Sequence, residues 1–170
     1  MMRSRCSILL LVLFIVLGWY GPSLALAQAP LPVGQIQIED VSVLMSEMGP
    51  VVLLKALGRV VPIFVDPTVA GSIDGALRGQ KFFRPLSHDL MHTILLAYGG
   101  SVTHVTIKLK EQIYYGELAV VIQGDLKVFD SRSSDAIALA IHFDAPIYVE
   151  KELLDQADQE RGELEEAQLL

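Results

Sequence analysis

Asp130-Ser131-Arg132-Ser133-Ser134-Asp135, followed at once by Ala136-Ile137-Ala138-Leu139-Ala140-Ile141, is the stretch on which the reading of the fold turns. Six polar residues, with two carboxylates and one guanidinium among them, separate two apolar segments. Leu126, Val128 and Phe129 before them read as the end of a strand; from Ala136 the chain reads as a helix apolar on nearly every side. A helix of that kind is buried, so its N-terminus is expected to be pinned against the core and the polar turn held in fixed directions. Ser133 or Ser134 would cap it by accepting a first-turn N–H, worth about 1 kcal/mol, and Asp135 would favour the positive end of its dipole. Capping leaves Asp130 and Arg132 over, either as a local ion pair or as part of a site, since polar loops beside rigid elements are where sites are often built.

Upstream, Arg3 and Arg5 precede an apolar run from Ile8 to Tyr20, Gly21-Pro22 breaks it, and Ala25-Leu26-Ala27 supplies small residues for cleavage. That pattern is a secretory signal peptide over 1–27; its run is shorter than the roughly 20 residues that span a bilayer. The expected location is therefore exported, periplasmic or secreted, with no membrane span after signal cleavage. Cys6 is the only cysteine, so the mature chain would hold no disulfide and no thiolate. Without Arg3 and Arg5 it would carry 11 basic and 20 acidic residues, a net charge of −9. This argues against a protein that holds nucleic acid by a broad basic surface. It leaves room for an enzyme that touches a few phosphates.

Residues 28–37 read as a linker, 38–156 as one domain and 157–170 as an acidic tail. Gln35 to Leu44 alternates as a strand, Met45 to Pro50 turns, and Val51 to Lys55 with Val60 to Val65 form a hairpin. Asp66-Pro67-Thr68 opens a helix whose buried face is Val69, Ile73, Ala76 and Leu77. A second helix spans Leu86 to Tyr98, with Leu90, Ile94 and Tyr98 on one stripe and Met91 and Leu95 beside it. Three strands follow, Val102 to Lys110, Ile113 to Ile122 and Lys127 to Phe129, with Gly124-Asp125 as a hairpin turn. After the polar corner and its helix come a last strand, Ile147 to Val149, and a final helix from Lys151. The order predicts an α+β domain: helices packed on a mixed, largely antiparallel sheet.

A second polar corner stands at Arg84-Pro85-Leu86-Ser87-His88-Asp89-Leu90. Ser87 is a natural N-cap and Asp89 falls in the first turn, which leaves Arg84 and His88 over. Two helix N-termini brought together would attract an anion. His88-Asp89-Leu90-Met91-His92 has the spacing of a zinc-protease helix, but the aspartate is short for that role and no third ligand follows. Ser87, His88 and Asp89 are consecutive, so they cannot form a hydrolase triad among themselves. His104 and His142 read as structural or surface residues.

Three segments together resemble the bifunctional nuclease domain family: Val60-Val61-Pro62-Ile63-Phe64-Val65, the corner from Arg84 to Leu90, and Asp130 to Ala140 with Ala145-Pro146-Ile147-Tyr148-Val149. The resemblance covers Ile38 to Gln156. It implies a compact α+β domain, pairing as a homodimer, and DNase and RNase activity. Against the family's usual Asp-Ala-Arg-Pro-Ser-Asp, this chain has Ser131 and Ser133 at the alanine and proline positions. Ser87 replaces a usual threonine. Val69 stands where members often carry a glutamate, with Asp66 nearby.

On that resemblance the expected function is hydrolysis of phosphodiester bonds in DNA or RNA. Asp89, Asp130 and Asp135 would hold a divalent cation, Mg²⁺ or Mn²⁺, because hard cations take oxygen ligands. Arg84 and Arg132, with Ser133 and Ser134, would bind phosphate, and His88 would supply or accept a proton. The alternative is a non-catalytic dimeric binding or assembly module of the cell envelope, in which the arginines pair internally with the aspartates.

Overall fold

The computed structural model describes residues 34–157; the expected leader, residues 28–33 of the expected linker and residues 158–170 of the tail lie outside them, while residues 35–37 of that linker are a strand paired into the domain. The elements are β1 (Gln35–Gln37), β2 (Asp40–Ser46), β3 (Gly49–Ala56), β4 (Arg59–Phe64), α1 (Pro67–Leu77), α2 (Ser87–Ala97), β5 (Gly100–Lys110), β6 (Ile113–Ile122), β7 (Asp125–Arg132), α3 (Ser133–His142) and β8 (Ile147–Glu150). Residues 151–157 are also helical. The strands form a five-stranded sheet in the order β1-β8-β5-β6-β7 and a three-stranded sheet, β2-β3-β4. Every pairing is antiparallel except β5 with β8. The α+β architecture with mixed, largely antiparallel sheets is as the sequence order predicts.

Tight turns account for the hairpins. Gln123 and Gly124 both have positive φ, 53° and 90°, the two-residue geometry whose twist matches that of paired strands. The turn thus lies one residue earlier than Gly124-Asp125, and β7 begins at Asp125. The first expected strand divides in two. Ile38 donates its N–H to Ile147 O at 2.8 Å while Glu39 donates to Lys55 O at 2.8 Å, so successive residues belong to different sheets. Alternation alone cannot reveal that transfer, because the pattern of apolar side chains continues through it.

α3 is the centre of the domain. Ala136, Ile137, Ala138 and Ala140 are wholly buried and Leu139 nearly so, as an all-round apolar helix requires. α3 packs against α1, α2, β5 and β6, among core side chains that include Ile73, Val105, Ile107 and Val120. Gly116 of β6 lets it approach: a Cβ there would lie 2.5 Å from Ala136 Cβ.

Two helices turn differently from expectation. α1 buries Val69, Ala70, Ser72, Ile73 and Gly75, while Leu77 is exposed. In α2 the apolar stripe Leu90, Ile94 and Tyr98 faces solvent, and His88 is the buried residue. Hydrophobicity read along α2 points outward because its inward face is occupied by polar groups that bond to α1 and α3.

Candidate functional site

α1, α2 and α3 all begin beside one pocket of about 310 Å³, lined by Asp66, Thr68 and Val69, by Leu86, Ser87, His88 and Met91, and by Arg132 and Asp135. Each helix arrives there for a local reason. Asp66 caps α1, its Oδ1 accepting from Thr68 and Val69 N–H, both at 3.0 Å. Asp89 Oδ2 accepts the Leu86 N–H at 2.8 Å, which fixes the start of α2 with Leu86, not Ser87, as the N-cap residue. α3 follows β7 with no intervening turn: Asp130, Ser131 and Arg132 are still in the strand, and Arg132 is the N-cap residue. No side chain caps α3, so Ser133 and Ser134, both buried, do not take the expected capping role. Its first N–H groups take no side-chain partner, and of its start it is Arg132 and Asp135, not Ser133 or Ser134, that line the pocket.

Arg132 lies flat against Asp135, its Nε 2.7 Å from Oδ2 and one terminal nitrogen 2.9 Å from Oδ1. The other terminal nitrogen forms a 3.9 Å ion pair with Asp66 Oδ2, too long for a hydrogen bond, so its N–H groups remain available to donate. Burial pushes the Asp135 carboxyl up, but the Arg132 hydrogen bonds and charge, with His88, outweigh it and hold the group below the usual carboxylate value. Hydrogen bonding to Asp135, with its charge, raises the Arg132 guanidinium further. His88, 4% exposed, sets its Nε2 3.3 Å from Asp135 Oδ1 and its Nδ1 3.2 Å from Ser72 Oγ. Ser72 Oγ is also 3.1 Å from Nε2 of His142, and Nδ1 of His142 is 3.9 Å from Asp89 Oδ1.

The two corners that stood apart in the chain therefore meet, through His88, Arg132 and Asp135. Asp130 does not join them. It pairs with Glu117, while its neighbour Ser131 pairs with Gly116, the residue against Ala136; strand alternation puts Asp130 on the face turned away from α3. Asp89 supports the helix start and faces His142. Arg84 is exposed on the connector before α2 and is not among the residues lining the pocket. Among the described residues no group of three or more His, Cys, Asp or Glu could hold a metal ion. The donor set expected for Mg²⁺ or Mn²⁺ is not gathered: Asp130 is on the far face, Asp89 holds the Leu86 N–H, and Asp135 is paired with Arg132 and His88.

The sequence pattern does not single out Ser72, and it reads His142 as a structural or surface residue. Ser72 stands at a position where helix periodicity predicts only packing, and His142 sits at a helix end seventy residues further on. Only Asp66 was signalled, as the acid next to Val69. Val69 itself lines the pocket, so the position at which the resembling family often carries glutamate does open onto the site.

A sequence model of the bifunctional nuclease domain matches residues 51–161, from β3 through all three helix starts. Two uncharacterized proteins of Mycobacterium tuberculosis, one from strain CDC 1551 and one from strain H37Rv, are each 33% identical to this chain over 127 residues, 73% of this chain and 76% of theirs.

Proposed function

The chain belongs to the bifunctional nuclease domain family, and from that premise we propose that the pocket binds and cleaves a phosphodiester of DNA or RNA. The observation that carries the reading is the convergence of three helix N-termini around Arg132. α1 gives its first N–H groups to Asp66, so it is the N-termini of α2 and α3, neither capped by a side chain, that favour an anion through free N–H groups and the dipole. A guanidinium held by a carboxylate presents its remaining donors in a fixed direction.

The residues divide the work by what they touch. Arg132 and the open N-terminus of α3 hold the phosphate oxygens, where charge grows during displacement at phosphorus. Asp135 orients Arg132 on one side and His88 on the other. His88, whose buried ring lines the pocket, gives a proton to the departing oxygen as a water molecule adds to phosphorus and sheds a proton to solvent. Ser87, exposed at the mouth, offers a hydroxyl to the sugar or phosphate. The pocket has the volume for one phosphate and its sugar, so it acts on a strand that passes across its mouth. Export is part of the same reading, on the basic and apolar segments at Arg3, Arg5 and Ile8 to Tyr20. The test is incubation of the purified mature protein with DNA and with RNA, in Mg²⁺, in Mn²⁺ and in chelator, beside Arg132→Ala. Cleavage by the wild type and not by the variant is expected; equal cleavage by both sinks the assignment.

A second reading, a dimeric assembly module, draws on the outward face of α2. Leu90, Ile94 and Tyr98 are exposed there, and Phe83 is fully so on the preceding connector. Such a face fits a second copy of this chain. A Leu90→Glu, Ile94→Glu variant that sediments like the wild type rules out this face as the contact.

A further inference from the structure

We propose that Ser72 and His142 are positioning residues of this pocket, the Ser72 hydroxyl being the middle link of a buried relay that fixes both imidazole tautomers and passes protons between His142 and His88. The geometry does not depend on what the pocket binds, but the use of the relay rests on the phosphodiester reading.

Ser72 is 1% exposed and belongs to α1, yet its Oγ lies within 3.2 Å of ring nitrogens from two other helices. With both rings neutral, one assignment of protons satisfies the three hydrogen bonds that join Asp135, His88, Ser72 and His142. A carboxylate only accepts, so Nε2 of His88 carries its proton toward Asp135. Nδ1 of His88 is then an acceptor, and the Ser72 O–H donates to it. Ser72 has only lone pairs left for His142, so Nε2 of His142 carries the proton. That leaves Nδ1 of His142 facing Asp89 Oδ1, two acceptors 3.9 Å apart, until a proton arrives between them.

The proton count closes. A proton taken up at Nδ1 makes His142 cationic beside Asp89. Its Nε2 proton then moves to Ser72 Oγ as the Ser72 proton moves to Nδ1 of His88. His88, now cationic, releases its Nε2 proton to an oxygen in the pocket. One proton enters at His142 and one leaves at His88, while each group keeps its own number and the tautomers reverse. The groups facing His142 are Asp89, His88 and His92 from α2 and Ser72 from α1. Those facing His88 are Ser72, Asp135 and the His142 ring, with Arg132 behind Asp135.

The test reads the ring tautomers by long-range ¹⁵N–¹H NMR in the wild type, Ser72→Ala and Ser72→Thr. In the wild type His142 is expected to carry its proton on Nε2. In Ser72→Ala the remaining acceptor is Asp89, and the ratio of Nδ1–H to Nε2–H at His142 should rise at least fivefold; Ser72→Thr, which keeps the hydroxyl, should restore it. A ratio unchanged in folded Ser72→Ala, or a wild-type His142 protonated on Nδ1, overturns the relay. His142→Gln supplies the second arm, since its amide keeps an N–H for Ser72 but carries no proton through. Its kcat should fall at least tenfold with KM within twofold, and wild-type kcat would overturn the relay. If the wild type cleaves no nucleic acid, the phosphodiester reading falls and the tautomers alone decide the relay.

Discussion

His88 Nε2 on α2 lies 3.3 Å from Asp135 Oδ1 on α3, a contact between residues 47 positions apart. It joins the two polar corners into one site and makes Asp135 the shared partner of an imidazole and a guanidinium. Because Asp135 holds both, removing it releases Arg132 and His88 together, whereas removing either partner leaves the other in place, and each residue's role can be read separately.

Arg132 is 67% exposed in its side chain, so its pair with Asp135 contributes at most about 1 kcal/mol to stability. Arg132→Ala is expected to melt within a few degrees of the wild type and to lose at least tenfold in cleavage or oligonucleotide binding. Arg132→Lys, which keeps the charge and loses the fork, should recover only part of it. A drop in melting temperature above ten degrees with unchanged cleavage would instead mark a structural network.

Asp130→Ala and Asp135→Asn separate the two carboxylates of the corner. Asp130 is exposed on the face away from α3, so its loss should leave cleavage within twofold. Asp135→Asn frees Arg132 and reverses the demand on His88, and should lower cleavage at least a hundredfold. Since these acids and Asp89 are not gathered, Mg²⁺ or Mn²⁺ is expected to leave the melting temperature unchanged. A saturable rise of several degrees would show a cation site that the monomer does not assemble.

Burial lowers the His142 pKa below the ordinary histidine value of 6.5, with Asp89 opposing and the neighbouring histidines reinforcing the shift. In the window between the lowered value and 6.5 the unfolded chain binds the extra proton, so stability rises with pH. The contribution is complete above 6.5 and is lost as pH falls through the folded value. Melting temperature should therefore decline on acidification from pH 7 to pH 5, and His142→Gln should flatten that slope. Asp135, held low chiefly by Arg132 against its burial, adds a loss of the same sign at more acid pH. An equal slope in His142→Gln would remove His142 as its source.

Gly116→Ala tests how α3 is seated. The added Cβ would meet Ala136 Cβ at 2.5 Å, Ser131 Oγ at 3.0 Å and Arg132 O at 3.1 Å. Backbone and a rigid helix cannot yield as a flexible side chain would, so a loss of about 1–3 kcal/mol is expected. The start of α3 should move with it and reduce cleavage beyond what the stability change explains. Wild-type stability in chemical denaturation would contradict this packing.

Much of the site was legible where signals were local. Asp135 and Arg132 follow from a polar corner ahead of an apolar helix, and His88 from what capping leaves over in its own corner. Asp130 was misplaced because β7 runs three residues further than its apolar pattern, its last pairs being set by Glu117, Gly116 and Tyr115. Ser72 and His142 gave no signal, since a serine in a helix and a histidine at a helix end are ordinary until their partners are known.

The sequence by itself determined most of the elements, the burial of α3, the α+β class and the family, because strand and helix periods and turn chemistry act within a few residues of chain. Only the tertiary structure decided which helix starts share a pocket, which face α2 turns inward and which carboxylate of the corner lines that pocket. Those outcomes depend on strand register and on helix packing across the sheet, which pair residues whose separation in the chain carries no trace of their contact.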